Sequence, residues 1–167
     1  MIHAGVYYPP GSLKAKFCRE GAAATVRFCE THKIPYQRCG KLLVATNSVE
    51  VERMAALIER CQQNEIEVKQ LSAVQLKSVE PNIAGLGAVL VPGTGIVDYR
   101  KITLALLQEF TALGGEVRYS SKITGLREDD SAIEVSCGGE RISCSFLVSC
   151  SGLMADRVLA MLGIAAD

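Results

Sequence analysis

The sequence predicts a mixed α/β fold, and three observations support this prediction. Long segments with apolar residues spaced about 3.6 positions apart alternate with short β-branched and apolar runs. The run at residues 146–150 is typical of a parallel strand covered on both faces. Hydrophobic residues make up 49% of the 167-residue chain, which is enough for a sizeable core.

The first helix is predicted at residues 13–30. Ser12 is a helix-capping residue type, and four apolar residues recur along one predicted face: Leu13, Phe17, Ala24 and Phe28. We expect that face to pack against the core. Residues 34–36 then break the helical pattern.

A buried strand at residues 40–46 precedes the second helix. Asn47 and Glu50 have the spacing of a capping box, and the helix should end near Asn64. Its predicted apolar face is formed by Val51, Met54, Leu57, Ile58 and Cys61. A strand at residues 67–71 follows, and then a brief helix that Ser72 caps and Pro81 stops.

The next elements are a strand at residues 87–91, a turn at 92–95 and a third long helix. That helix begins at Tyr99 or Arg100 and ends at Leu113, before two glycines that can close it. Strands are predicted at residues 116–119, 122–126, 132–136 and 146–150, with a hairpin or meander turn at residues 138–139. A final helix is expected at residues 153–162.

The composition excludes some classes of function. Eighteen basic and eighteen acidic residues cancel without a basic cluster, so nucleic-acid binding is not expected. Seven cysteines without a Cys-x-x-Cys pair indicate reduced core residues and a cytoplasmic protein, and no metal site is expected. No signal peptide or membrane-spanning run is visible, but peripheral contact with a membrane stays open.

The segment at residues 2–16 has the character of an active site. His3 lies beside the small residues Ala4 and Gly5, where a planar ligand could approach the main chain. Tyr7 and Tyr8 could supply flat walls with hydroxyl groups. The alternative is that the histidine is solvated and the tyrosines only pack.

Four further residues are each open to two interpretations. Ser151 and Gly152 join a predicted strand to a helix, a junction that suits a phosphate but is more often only a tight turn. Lys14 near a helix start would normally be solvated, unless an anionic substrate lies close. Arg100 follows a polar cap and has the same two interpretations.

Four blocks of sequence carry a resemblance: IHAGVYYPPGSLKAK at residues 2–16, CGKL at 39–42, GIVDYR at 95–100 and SCSGLMADR at 149–157. Together they resemble the L-2-hydroxyglutarate oxidase/dehydrogenase family of D-amino-acid-oxidase-like FAD flavoproteins. The resemblance implies an incomplete glutathione-reductase-like FAD domain with part of a mixed-sheet substrate domain inserted. Residues 1–38 and 98–167 would be FAD-domain segments and residues 39–97 a substrate-domain segment.

The same resemblance implies roles for individual residues. His3 would be the catalytic base near the flavin ring, and Ala4 and Gly5 would let the main chain approach the cofactor. Ile123 would contact the adenine through its main chain, and Ser151 and Gly152 would lie near the nucleotide part of FAD. Candidate ligands for the substrate carboxylates are Tyr8, Lys14 and Arg100.

The implied reaction is oxidation of L-2-hydroxyglutarate to 2-oxoglutarate, with hydride transfer to flavin N5. Another 2-hydroxy acid or glycerol 3-phosphate stays open as the substrate. Because the Gly-x-Gly-x-x-Gly turn is absent, the chain is expected to be a central fragment. By itself it could be a catalytically inactive fragment or interaction module. For the protein, a homo-oligomer and a location peripheral to the inner membrane stay open.

Overall fold

The structure, a computed structural model, describes residues 1–165 and confirms the mixed α/β class. It consists of two compact units, Met1–Leu113 and a second that begins at Gly114. The first contains α1 (Leu13–Thr31), β1 (Tyr36–Gln37), β2 (Lys41–Ala45), α2 (Ser48–Gln63), β3 (Lys69–Ser72), α3 (Ala73–Val79), β4 (Gly87–Val91), β5 (Ile96–Val97) and α4 (Tyr99–Ala112). The second contains β6 (Ile123–Glu128), β7 (Ile133–Cys137), β8 (Glu140–Cys144), a 3₁₀ turn (Gly152–Met154) and α5 (Ala155–Met161).

Side-chain caps fix the helix starts of the first unit. The Ser12 hydroxyl accepts from the Ala15 amide, and the Asn47 side chain accepts from the Glu50 amide. Ser72 and Gln75 form a complete capping box at the start of α3. Each cap satisfies amide groups that have no partner inside the helix, so the boundaries follow the predicted signals.

A three-stranded antiparallel sheet of order β2-β4-β3 is the centre of the first unit. Alternate residues of its strands point to opposite faces. Val89 and Val91 join the core cluster of α2 with Met54 and Cys61, whereas Ala88 joins a second cluster around α3. The sheet is therefore covered by a different helix on each face.

The predicted apolar face of α1 is wrong at three of its four residues, and only Phe28 packs against a core cluster. Leu13 and Phe17 are 67% and 60% exposed, and the buried residues of this helix are Val26 and Cys29. Cys29 packs with Ile102 of α4 in a separate core cluster. The helix is apolar on more than one side, so its spacing alone did not identify the buried side.

A short antiparallel pair, β1 with β5, closes the base of the segment between them. The chain leaves this pair after Gln37 and returns to it at Ile96. Ile2 forms an antiparallel bridge with Gly95 at the same place. Residues 38–95 are thus an excursion whose two ends meet.

The second unit is an antiparallel meander, β6-β7-β8, and contacts link α5 to β6. The turn at residues 138–139 joins β7 to β8 as predicted. Two strand predictions are wrong. Residues 116–119 form no strand and are linked to β8 through the ion pair between Arg118 and Glu140.

Residues 146–150 also form no strand. Phe146 and Val148 are 88% and 81% exposed, because no strand among residues 1–165 pairs with this run. A strand is stabilised by its neighbours, so the apolar run alone does not form one.

All seven cysteines are free thiols, as the sequence indicates, but they are not all core residues. Cys29, Cys61 and Cys137 are buried, whereas Cys39 and Cys150 are exposed. Burial raises the pKa of the Cys29 and Cys61 thiols, which keeps them protonated.

Candidate functional site

The segment that contains His3 is anchored at both sides of this residue. Ile2 exchanges two backbone hydrogen bonds with Gly95, at 2.7 and 3.2 Å, and Val6 is buried in the core of the sheet. His3 itself is exposed, and its side chain makes no hydrogen bond or ion pair with residues 1–165. An imidazole held on a fixed backbone and free at both nitrogens can exchange a proton with a bound molecule.

Gly5 forms the turn that follows His3. Its φ is +77°, and its carbonyl accepts from the Tyr8 amide at 3.1 Å. A Cβ at this position would lie 3.0 Å from Cys18 Sγ. The glycine is therefore required by the turn and by contact with α1, in addition to any approach of a ligand.

Tyr8 is half-buried, and its carbonyl accepts a hydrogen bond from the Asn64 side chain at 2.9 Å. Asn64 is 8% exposed and caps the end of α2. From the sequence, Asn64 is predicted only as the end of the helix, because a bond between residues far apart in sequence leaves no local pattern. This bond ties the candidate active-site loop to the excursion at residues 38–95.

The two candidate cations lie at helix starts of the first unit. Lys14 is exposed in the first turn of α1, and Arg100 is exposed in the first turn of α4. The Tyr99 hydroxyl donates to the Met1 carbonyl at 3.1 Å, so the start of α4 contacts the start of the chain. Arg100 therefore directly follows Tyr99, which is hydrogen-bonded to Met1, two positions before His3.

The remaining candidates lie in the second unit. Ile123 opens β6 opposite Cys137 and is half-buried beside a bulge. The Ser151 hydroxyl lies 2.9 Å from that of Ser149, and Gly152 has a φ of +57° with open space at its Cβ position. In place of the predicted strand-to-helix junction, the structure has a run without regular secondary structure followed by a 3₁₀ turn.

A cleft of about 380 Å³ opens beside Tyr7, between β2 and α2. Its lining is mostly apolar and includes two arginines, Arg53 and Arg60. Neither arginine is among the candidate residues predicted from the sequence. Their seven-residue spacing places them on one face of α2, which is the signal that could have indicated them.

The chain matches the model of the FAD dependent oxidoreductase (DAO) family over residues 1–166. The chain belongs to this family. It is also 51% identical over 166 residues to an L-2-hydroxyglutarate dehydrogenase of Escherichia coli K12, and 37% identical over 180 residues to the human mitochondrial L-2-hydroxyglutarate dehydrogenase. These alignments cover 98% and 100% of this chain but 39% of each relative.

Solved structures have the same fold. Glycine oxidase from Geobacillus kaustophilus superposes with a TM-score of 0.86 at 20% identity, over 97% of this chain and 46% of that protein. L-proline dehydrogenase from P. horikoshii gives a TM-score of 0.85 at 17% identity, over 95% of this chain and 43% of that protein.

Residues 1–165 contain neither a candidate metal site nor a candidate membrane-spanning helix. No group of three or more His, Cys, Asp or Glu side chains in this range is arranged to hold a metal ion. No helix in the same range is long and apolar enough to cross a bilayer.

Proposed function

We propose that the protein to which this chain belongs oxidises L-2-hydroxyglutarate to 2-oxoglutarate with FAD. The observation that carries the proposal is the exposed His3 imidazole on a loop anchored by Ile2 and Val6. The high identity to dehydrogenases named for this substrate supports the choice of 2-hydroxy acid.

The residues present fit a flavin. Ala4 and Gly5 present no long side chain beside His3, and the left-handed turn at Gly5 redirects the main chain there. Ile123, Ser151 and Gly152 would contact the nucleotide part of FAD. When bound, FAD supplies the electron acceptor of the reaction by taking the 2-hydrogen as hydride at flavin N5.

The proposed role of His3 is to take the proton of the substrate hydroxyl. Its side chain has no competing partner among the described residues, so a ring nitrogen is free to accept that proton. Holding the imidazole on an anchored backbone favours the geometry that the proton transfer needs.

The two carboxylates of the substrate need cations or hydrogen-bond donors. Lys14, Arg100 and the Tyr8 hydroxyl are the proposed ligands, with an arginine giving the planar fork that matches a carboxylate. The exposure of Lys14 and Arg100 leaves both side chains free to bind an anion.

The proposed division is an FAD-domain segment at residues 1–38, a substrate-domain segment at 39–97 and a second FAD-domain segment at 98–167. The pairing of β1 with β5 supports it, because the two ends of an inserted segment must lie together. Cytoplasmic localisation, peripheral contact with the inner membrane and homo-oligomerisation are further proposals of the same account.

A substrate panel on the complete gene product tests the proposed function. L-2-hydroxyglutarate is expected to bleach the flavin absorbance under anaerobic conditions, whereas the D-isomer, other 2-hydroxy acids and glycerol 3-phosphate should do so far more slowly. Equal or faster reduction by glycerol 3-phosphate would replace the proposed substrate, and a product without flavin would contradict the cofactor.

A further inference from the structure

We propose that the cleft between β2 and α2 binds an amphipathic carboxylate, a small molecule with one anionic head and an unbranched apolar tail. His3 does not line this cleft, although Tyr7 of the same segment does. The proposal does not depend on the proposed function. It is carried by the lining of the cleft and by the charges on α2.

The walls of the cleft suit an apolar tail. Leu43 and Ala45 come from β2, and Met54 and Leu57 come from α2. Ala45 and Met54 are 1% and 8% exposed, so the lining is continuous with the main core. The volume of about 380 Å³ lies in the range of roughly 300–1,000 Å³ found for small-molecule sites, which are mostly apolar with a few polar groups.

The charged residues of the lining suit an anionic head. Arg53 and Arg60 lie two turns apart on α2, and neither guanidinium pairs with a residue within 1–165. Glu50 also lines the cleft, but its carboxylate accepts from the Thr46 amide and hydroxyl at 2.7 and 2.9 Å. Two unpaired guanidinium forks therefore remain for a carboxylate.

A short dicarboxylate fits this site less well than a molecule with a tail. Its carboxylates could pair with the two guanidinium groups, but without a tail the apolar walls stay in contact with water and their burial contributes nothing to its binding. An alkyl chain instead displaces water from those walls, and each buried methylene should tighten binding about fourfold. The charge and the apolar lining together favour a single anionic head with a tail.

The experiment measures binding of hexanoate, octanoate and decanoate to the 167-residue chain by isothermal titration calorimetry. Affinity is expected to rise about fourfold per added methylene until the cleft is full. Decanol, which has the tail without the charge, should bind about tenfold more weakly than decanoate. L-2-hydroxyglutarate, which has charge without a tail, should neither bind measurably nor displace decanoate.

Four variants, one of them a control, locate the site. Arg53→Gln and Arg60→Gln should each weaken decanoate about tenfold, whereas Arg27→Gln, at an exposed position of α1, should not. Ala56→Phe fills the cleft without changing its charge and should remove the dependence on tail length. Circular dichroism of each variant confirms that the fold is retained.

Three results would overturn the proposal. They are decanoate affinity equal to that of decanol, variants of the two arginines that bind like the parent chain, and displacement of decanoate by L-2-hydroxyglutarate. The last result would assign the cleft to the substrate of the proposed reaction. These binding measurements do not require flavin. A complete gene product without flavin would therefore contradict the proposed function without affecting the test of the cleft.

Discussion

Gly5 illustrates how one residue combines two constraints. Its backbone is left-handed, with φ +77°, and the space a Cβ would need is occupied by Cys18. Gly11 has a similar φ of +74° but open space around it. A comparison of the two glycines therefore separates the cost of a left-handed backbone from the cost of a contact with Cys18.

We expect Gly5→Ala to destabilise the chain more than Gly11→Ala does. The left-handed conformation costs roughly 1–2 kcal/mol for a residue with a Cβ, and overpacking against Cys18 adds about 1–3 kcal/mol at Gly5 only. Urea unfolding measures both variants. Adding Cys18→Ala to Gly5→Ala should recover part of the loss, and equal costs at the two glycines would contradict the packing account.

Asn64 is a second residue whose role is testable. Asn64→Ala should lower the free energy of unfolding by about 1–3 kcal/mol, because the half-buried Tyr8 carbonyl loses its donor. Gln63→Ala is the matched control, since its side chain is exposed and bonds only to Glu59 at 3.3 Å. Similar effects of the two substitutions in urea unfolding would show that the bond to Tyr8 contributes little.

The sequence marked His3 and Gly5 because their residue types and spacing are unusual. It could not identify the role of Asn64, because the partner carbonyl lies 56 residues away and any residue has a carbonyl. The arginines of the cleft were missed for a related reason. Exposed arginines on a helix are common, and only the packing of α2 on the sheet makes them neighbours of a cavity.

At the scale of elements, the start of α2 depends on an ionised side chain. The Thr46 amide and hydroxyl both donate to the Glu50 carboxylate. These bonds, the amide bond most strongly, lower the pKa of this carboxyl below its ordinary value. A group whose pKa is lower in the folded state stabilises the fold above its unfolded pKa of about 4.3. That contribution is lost as pH falls through the folded-state pKa.

Glu50→Gln should therefore reduce stability at neutral pH and have a smaller effect in acid. Thermal unfolding of the parent chain and the variant between pH 7 and pH 3 measures the difference. Glu52→Gln, on the exposed side of the same helix turn, is the control and should leave the curve nearly unchanged. A difference that stays constant on acidification would contradict the role of the carboxylate.

The helix and strand boundaries that the sequence predicted well are those with local signals. Ser12, Asn47 and Ser72 cap their helices as expected, and the strand at residues 87–91 has the predicted bounds. The strand prediction at residues 146–150 was wrong because a strand needs a partner strand, and composition indicates only that the run is apolar. The prediction of which side of α1 is buried was wrong at most positions because this helix has apolar residues on more than one side.

At the scale of the whole molecule, large apolar side chains are exposed. Phe146, Val148 and Leu153 are 88%, 81% and 98% exposed in the second unit. The chain spans 39% of the length of the Escherichia coli and human relatives that it matches. Contiguous exposed apolar surface favours association.

We therefore predict that the isolated chain self-associates. Sedimentation velocity over a range of concentrations should give a rising average mass, and replacing Phe146 and Val148 by serine should reduce it. The double substitution Lys122→Ser with Lys101→Ser, at exposed polar positions, is the control and should leave the mass distribution unchanged. A monomer at all concentrations would contradict the prediction.

The most direct test of the central claim is the rate at which L-2-hydroxyglutarate reduces the flavin in the complete gene product, with and without His3. We expect His3→Gln to retain the flavin and to slow its anaerobic reduction about 10²–10⁴-fold, because the base for the hydroxyl proton is lost. A His3→Gln protein that is reduced as fast as the parent would contradict the account.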